Sequence, residues 1–313
     1  MGTTGTLTAP TISTTVVDGF DAVVLSAGEL EATFVPAAGM LGASLRHDGD
    51  ELLDRSVSVG DYAATAKTTG LPLLHPWANR LAAEHYTACG REVELPPGLP
   101  HDANQLPIHG VLPRAFEVVD TAIAEGTATL CARLDFADDA FPFPHRLTQH
   151  VMLDPGRLAI ETVVEPTGED TVPVSFGFHP YLHLPGVPRA KWTVSLPMRR
   201  HLLVDERQIP TGEGEHESAG EFVLGDTAFD DGYDGLASEP SFAVRGGGRE
   251  LCVRLLSGYG AAQIYAPPPR DVISFEPMTA PTNALVSGWG LPTVAPGDEF
   301  HALFEIQVLR TAP

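Results

Sequence analysis

The segment Leu147-Thr-Gln-His-Val-Met-Leu-Asp-Pro-Gly-Arg-Leu-Ala-Ile-Glu-Thr-Val-Val164 decides the fold class. Leu147, Val151 and Leu153 recur at period two, Pro155-Gly156 supplies a turn, and Leu158, Ile160, Thr162 and Val164 return. Successive side chains of a strand point to opposite faces, so this pattern spells an antiparallel hairpin with one buried face. The same period governs the far end of the chain, where Phe300, Ala302, Phe304, Ile306 and Val308 alternate with His301, Glu305 and Gln307. Shorter runs of this kind occupy 22–26, 30–35, 41–46, 116–123, 127–136, 192–197, 242–245, 250–256 and 262–266. No amphipathic helix longer than two turns is legible. Strands spaced this regularly predict an all-β protein built as a large antiparallel sandwich or barrel.

Composition narrows the function. A chain of 313 residues with 31 Gly and 28 Pro is turn-rich, and all-β domains of this size occur as single units. No linker interrupts the composition, so one domain over 11–313 is expected, preceded by a flexible N-terminus over 1–10. A net charge of −22 repels phosphate backbones and anionic lipid, which argues against nucleic-acid and membrane partners and for a small neutral substrate. The three cysteines (Cys89, Cys131, Cys252) lie far apart in no metal spacing and read as reduced thiols of a cytoplasmic protein. The N-terminus lacks the basic start and apolar stretch of a secretion signal, and no apolar run reaches the ~18 residues of a membrane span. Residues 205–239 hold eleven acidic side chains against one Arg and read as a solvated excursion.

Two segments carry the chemistry. Val174-Ser-Phe-Gly-Phe-His-Pro-Tyr-Leu182 and Ile273-Ser-Phe-Glu-Pro277 each read as a strand that stops at a proline, which has no amide hydrogen for the ladder. Each offers an ionisable residue just before the stop, His179 in one and Glu276 in the other. An imidazole and a carboxylate at two strand ends are the minimum for acid–base work on a small polar substrate. His179 and His183 stand four apart, but Pro180 spoils the helical geometry that zinc ligation would need, so no metal is expected.

The other candidates are weaker singly. Pro76-Trp77-Ala-Asn79-Arg80 sets an amide beside a guanidinium that can fork onto hydroxyls, with Trp77 as an apolar ring face; on composition alone a surface Asn-Arg loop over a buried Trp is the favoured reading. His109, before Gly110, taken alone is a hydrogen-bonded core histidine. Phe229-Asp230-Asp231-Gly232-Tyr233-Asp234 reads either as an Asp-Gly turn or as the source of a carboxylate that accepts hydrogen bonds from substrate hydroxyls. Gln263 is a polar residue in an apolar strand, facing solvent or a ligand. Gly246-Gly247-Gly248 is a hairpin turn, and no Gly-x-Ser-x-Gly elbow suggests a serine hydrolase.

Taken in order, Pro76–Arg80, Ile108–Gly110, Gly177–Tyr181, Phe229-Asp230, Gln263–Tyr265 and Phe275–Pro277 resemble the motifs of the aldose 1-epimerase (galactose mutarotase) family. The resemblance spans about 12–310. It implies a β-sandwich of the galactose-mutarotase type that needs neither metal nor organic cofactor, an isomerase of α and β anomers. It further implies Glu276 as general base, His179 as general acid and His109 at the ring-oxygen side, with Asn79, Arg80, Asp230 and Gln263 as sugar ligands. Asp231 and Asp234 are close enough to replace Asp230, and Arg80 is expected to hold Glu276 or substrate oxygens. A monomer or homodimer acting on a neutral aldose is expected. The competing readings are a hexose-6-phosphate epimerase, kept alive by Arg114, a non-catalytic sugar-binding protein, and a glycosidase using Glu276 with Asp230.

Overall fold

The computed structural model describes residues 9–311. The expected flexible N-terminus therefore lies outside the described residues, except for Ala9 and Pro10, which precede the first strand. Three antiparallel sheets of five, nine and seven strands make up most of the fold. The five-stranded sheet follows the chain from Thr11–Val17 to Asp50–Glu51. The nine-stranded sheet contains the deciding hairpin, Phe141–Asp154 paired with Arg157–Pro166, and next to it the C-terminal strand Phe300–Arg310. In the seven-stranded sheet, Pro210–Glu217, Arg199–Val204, Phe229–Asp234, Ala261–Ala266, Ser274–Met278, Gly177–Phe178 and Leu73–Leu74 lie side by side.

The nine- and seven-stranded sheets pack face to face as a β-sandwich. Phe178 of one meets Phe304 of the other with ring centroids 4.9 Å apart, and Phe275 stacks near Phe242 at 5.8 Å. The alternation read from sequence is what fills this layer: Phe141–Asp154 alternates buried and half-exposed residues almost throughout. Leu147, Val151, Leu153, Leu158, Ile160, Phe304 and Ile306 all enter one core cluster. Full burial of each such side chain is worth about 1.5–3 kcal/mol. Among the described residues, no helix is long and apolar enough to cross a membrane.

The structure corrects several local expectations. The acidic stretch 205–239 is not an irregular excursion, because Pro210–Glu217, Gly220–Val223 and Phe229–Asp234 within it are strands. Pro210–Glu217 and Gly220–Val223 are edge strands whose charges face solvent, which is how so acidic a sequence can still join a sheet. Asp231-Gly232 lies inside the last of the three strands rather than in a turn. Pro277 does not end its strand: Ser274–Met278 runs through it, opposite Ala262, and its carbonyl lies against Gly177, where a Cβ would sit 2.6 Å away. The Val174–Phe178 run is broken into Val172–Pro173, a single bridge at Ser175, and Gly177–Phe178. Glu305, expected on a polar face, is fully buried, where Arg157 Nη1 at 2.8 Å and Arg254 Nη1 at 2.7 Å neutralise it from the two flanking strands.

Candidate active site

Neighbouring strands gather residues that are far apart in sequence. Gln263 stands opposite Glu276 in one pairing and opposite Gly232 in the next, which brings the strand bearing Asp230 alongside. His179 follows directly after Gly177–Phe178, the strand on the other side of Ser274–Met278. Asn79, Arg80 and His109 come from loops locked together by the antiparallel bridge between Arg80 and Ile108. The His109 amide donates to Asn79 O at 3.0 Å, and the Asn79 amide donates to His109 Nδ1 at 3.2 Å. Both residues sit in the left-handed region, with φ 61 and 58.

Gly110 makes this crossing possible. Its φ is 80, and a Cβ there would meet His75 O at 2.1 Å. Gly110→Ala should therefore destabilise the protein by at least the roughly 1–3 kcal/mol of a strained backbone. Thermal melting checks this, and an unchanged midpoint would show that the loop crossing yields at little cost.

Glu276 and His179 open onto a cavity of about 190 Å³ whose wall also includes Asn79, Arg80, His109, Tyr181, Asp230 and Tyr265. Glu276 is 1% exposed, with Oε1 3.3 Å from His179 Nε2 and Oε2 without a hydrogen-bond partner. Burial, reinforced by Asp230, raises its carboxyl well above the usual carboxylate range, against the pull of Arg80. Burial also holds the His179 imidazole well below its ordinary value, helped by His109. Its Nδ1 lies 3.1 Å from Ser274 Oγ, and its ring stacks on Tyr181 with centroids 4.1 Å apart. The Tyr181 hydroxyl is anchored to Thr68 Oγ1 at 2.7 Å.

His109 is likewise neutral, pushed down to about 3 by burial and then by Arg80. Because Nδ1 accepts the Asn79 amide hydrogen, the one ring proton belongs on Nε2, which makes His109 a standing hydrogen-bond donor. Arg80 is gripped on three sides. Nε–H donates to Asp102 Oδ2 at 2.7 Å, Nη1–H to Asn79 Oδ1 at 3.2 Å and Nη2–H to Asp230 Oδ2 at 3.3 Å. Gln263 Nε2 in turn donates to Asp230 Oδ1 at 2.8 Å.

Of the sequence candidates, Glu276, His179, His109, Asn79, Arg80 and Asp230 therefore meet at one cavity. Trp77 does not. It is fully buried in the main core cluster, so the apolar ring face proposed for it is turned to packing. Gln263 is buried behind Asp230 rather than on the cavity wall. Asp231 contacts His201 at 3.4 Å and Asp234 forks onto Arg200, which leaves Asp230 as the cavity carboxylate. Arg80 holds Asp102 and Asp230, not Glu276. Arg114 pairs with Asp138 and lies over the Phe136 ring at 5.6 Å, away from this cavity. Sequence reasoning missed Asp102, Thr68 and Ser274. Only Asp102 left a trace, the turn-prone run His101-Asp-Ala-Asn-Gln105 before an apolar pair.

A larger depression of about 640 Å³ lies on the five-stranded sheet, but both of its arginines are already paired, Arg46 with Glu51 and Arg55 with Asp18. None of the acid–base candidates lines it. Among the described residues, no group of three or more His, Cys, Asp or Glu side chains gathers as a metal site.

Comparison with known proteins bears on the family and the fold. Residues 21–307 match the family model Aldose 1-epimerase. The Escherichia coli K12 protein named Uncharacterized protein YihR is 26% identical over 288 residues, covering 80% of this chain and 92% of that protein. A galactose mutarotase-like protein from Clostridium acetobutylicum superposes with a TM-score of 0.85 at 17% identity, over 97% of this chain and 99% of its own. Galactose 1-epimerase from Lactobacillus acidophilus NCFM gives 0.78 at 15% identity, over 98% and 100%. At these identities the two structures speak for the fold.

Proposed function

The chain belongs to the aldose 1-epimerase family, and on that footing we propose that it interconverts the α and β anomers of a neutral aldose by acid–base ring opening. The observation that carries this reading is the buried pair Glu276–His179, 3.3 Å apart on the wall of a sugar-sized cavity. Burial disfavours charge on both groups, so the resting pair carries one proton and no net charge.

That single proton is what the reaction needs. Shifting it from Glu276 to His179 gives a carboxylate and an imidazolium. The carboxylate removes the proton of the anomeric hydroxyl while the imidazolium protonates the ring oxygen, and the ring opens to the aldehyde. The pair is then back to a neutral acid and a neutral imidazole. After the carbonyl turns, the same two transfers in reverse close the ring on the other face. His109 Nε2–H is suited to the ring-oxygen side, and the Arg80 fork with Asp230 to the sugar hydroxyls.

The hexose-6-phosphate alternative needs a free cation. Arg114 is engaged by Asp138, and Arg80 by two carboxylates, which favours the neutral substrate. A purely sugar-binding protein has no use for a desolvated acid–base pair, since burying both groups costs stability that binding does not repay. Polarimetry of freshly dissolved α-anomers of several aldoses tests the function. Catalytic protein should speed the approach to equilibrium rotation for at least one of them. Rotation that drifts at the buffer rate for all would sink the reading.

A further inference from the structure

We infer that Asp102 is a positioning residue that fixes the Arg80 fork and cancels its charge, making the cavity selective for neutral over anionic sugars. This rests on the proposed function and names the substrate class of the same site. The Asp102 side chain is only 8% exposed, although it belongs to a loop. Its Oδ1 accepts the amide hydrogens of Asn104 at 2.8 Å and Leu106 at 3.0 Å, and its Oδ2 accepts Arg80 Nε–H at 2.7 Å. Burial opposes its ionisation, but the Leu106 amide, Arg80 and the Asn104 amide together hold the carboxyl below its usual range. The loop thus closes on its own aspartate and presents one oxygen, already ionised, to the guanidinium.

Two consequences follow for a ligand. With Nε spoken for, Arg80 can turn only its Nη edge towards the cavity, where Asn79 and Asp230 meet it at 3.2 and 3.3 Å. These are the longer, weaker contacts of the set, and sugar hydroxyls can replace or bridge them. Charge is the second consequence. Asp102 and Asp230 against one guanidinium leave one net negative charge, so a phosphate or carboxylate on the ligand would have to displace a carboxylate already in place. Mutual repulsion at a half-buried site is screened less than at an open surface. Neutral hydroxyls meet no such opposition.

Asp102→Asn isolates the effect. The amide keeps an oxygen for the Asn104 and Leu106 amides but turns an NH₂ towards Arg80 Nε–H, which removes both the contact and one negative charge. Polarimetry would give kcat/KM for glucose and glucose 6-phosphate, and calorimetry would give the affinity of each without relying on turnover. The neutral-to-phosphate ratio should fall about tenfold or more in Asp102→Asn, with the shift shrinking as salt is raised. In an Arg80→Gln background the same change should shift the ratio markedly less, by the lost charge alone, because no guanidinium is left to be freed, whereas a merely structural loop role would reappear there at full size. Asp102→Glu keeps the charge on a longer arm and should retain selectivity while raising KM; it carries the test if the Asn variant does not fold. An unchanged ratio in Asp102→Asn, an equal shift in the Arg80→Gln background, or lost selectivity in Asp102→Glu would each overturn the inference. Wild-type protein that binds glucose selectively yet never turns it over would sink the proposed function and leave the selectivity argument standing.

Discussion

Glu276→Gln should cut mutarotation by about 10²–10⁴-fold, the worth of a positioned acid–base group, while sugar affinity stays within a few-fold. The amide preserves the shape of the protonated carboxyl that burial favours at rest, but it cannot take the anomeric proton. Stability gives an independent check. A carboxyl whose folded-state value is raised contributes stability that is fully present below its unfolded value, near 4.5, and is lost as pH rises through the folded value. Wild-type protein should therefore lose stability with rising pH through this group, and Glu276→Gln should not. The variant should match or exceed wild type in thermal melts at alkaline pH, with the difference fading towards pH ~4.5. Near-normal turnover in the variant would remove Glu276 from the mechanism.

Where the fold was legible in sequence, the signal was repetition. The Leu147–Val164 hairpin and the Phe300–Val308 strand each repeat a period-two pattern several times, so an isolated polar residue does not obscure them. Short strands do not give that redundancy. Gly177–Phe178 spans two residues, and the surrounding run gives no hint that it breaks at Ser175. Pro277 misled for a different reason: the rule that proline ends a strand assumes a demanding partner on both sides, and here one neighbour is very short. Charge misled in the 205–239 stretch because an edge strand needs only one paired side, and its outer side tolerates many carboxylates.

The site divides along similar lines. Residues beside proline or glycine were readable because those backbone constraints leave marks in the sequence, even where, as at Glu276, the strand runs on through the proline. Trp77 was not, since a tryptophan next to Asn-Arg looks the same whether it faces a sugar or the core. Asp102 was hidden in a loop with ordinary turn composition. Its importance lies in the one contact to Arg80, made across 22 positions of chain, and no local pattern encodes that.

The two histidines should separate cleanly. His179→Asn should lower kcat with KM nearly unchanged, because the lost group moves a proton. His109→Asn should damage both, because it removes the standing Nε2–H donor at the cavity, while the new side chain's Oδ1 can still accept the Asn79 amide hydrogen in place of Nδ1. The pH profile follows from the same electrostatics. The Glu276–His179 pair works while it holds one proton in total. Adding a second means charging a buried imidazole whose value lies well below 6.5, and removing the only one means ionising a carboxyl held well above 4.5. Burial thus pushes the two limbs of the profile apart, and they belong to the pair rather than to either residue. His109, neutral down to about 3, adds no limb of its own near neutrality. Its depressed value does make a mark on stability: that contribution is present above the unfolded value of 6.5 and is lost as pH falls towards about 3. Wild-type kcat should accordingly run flat through the ordinary imidazole range near 6.5, while melting temperature declines on the acid side and declines less in His109→Asn. Rate measurements across that range decide the matter. A limb near 6.5 that disappears in His179→Asn would mean that His179 titrates freely and the one-proton pair is wrong. Small, equal losses from both substitutions would instead reduce the two histidines to structural residues.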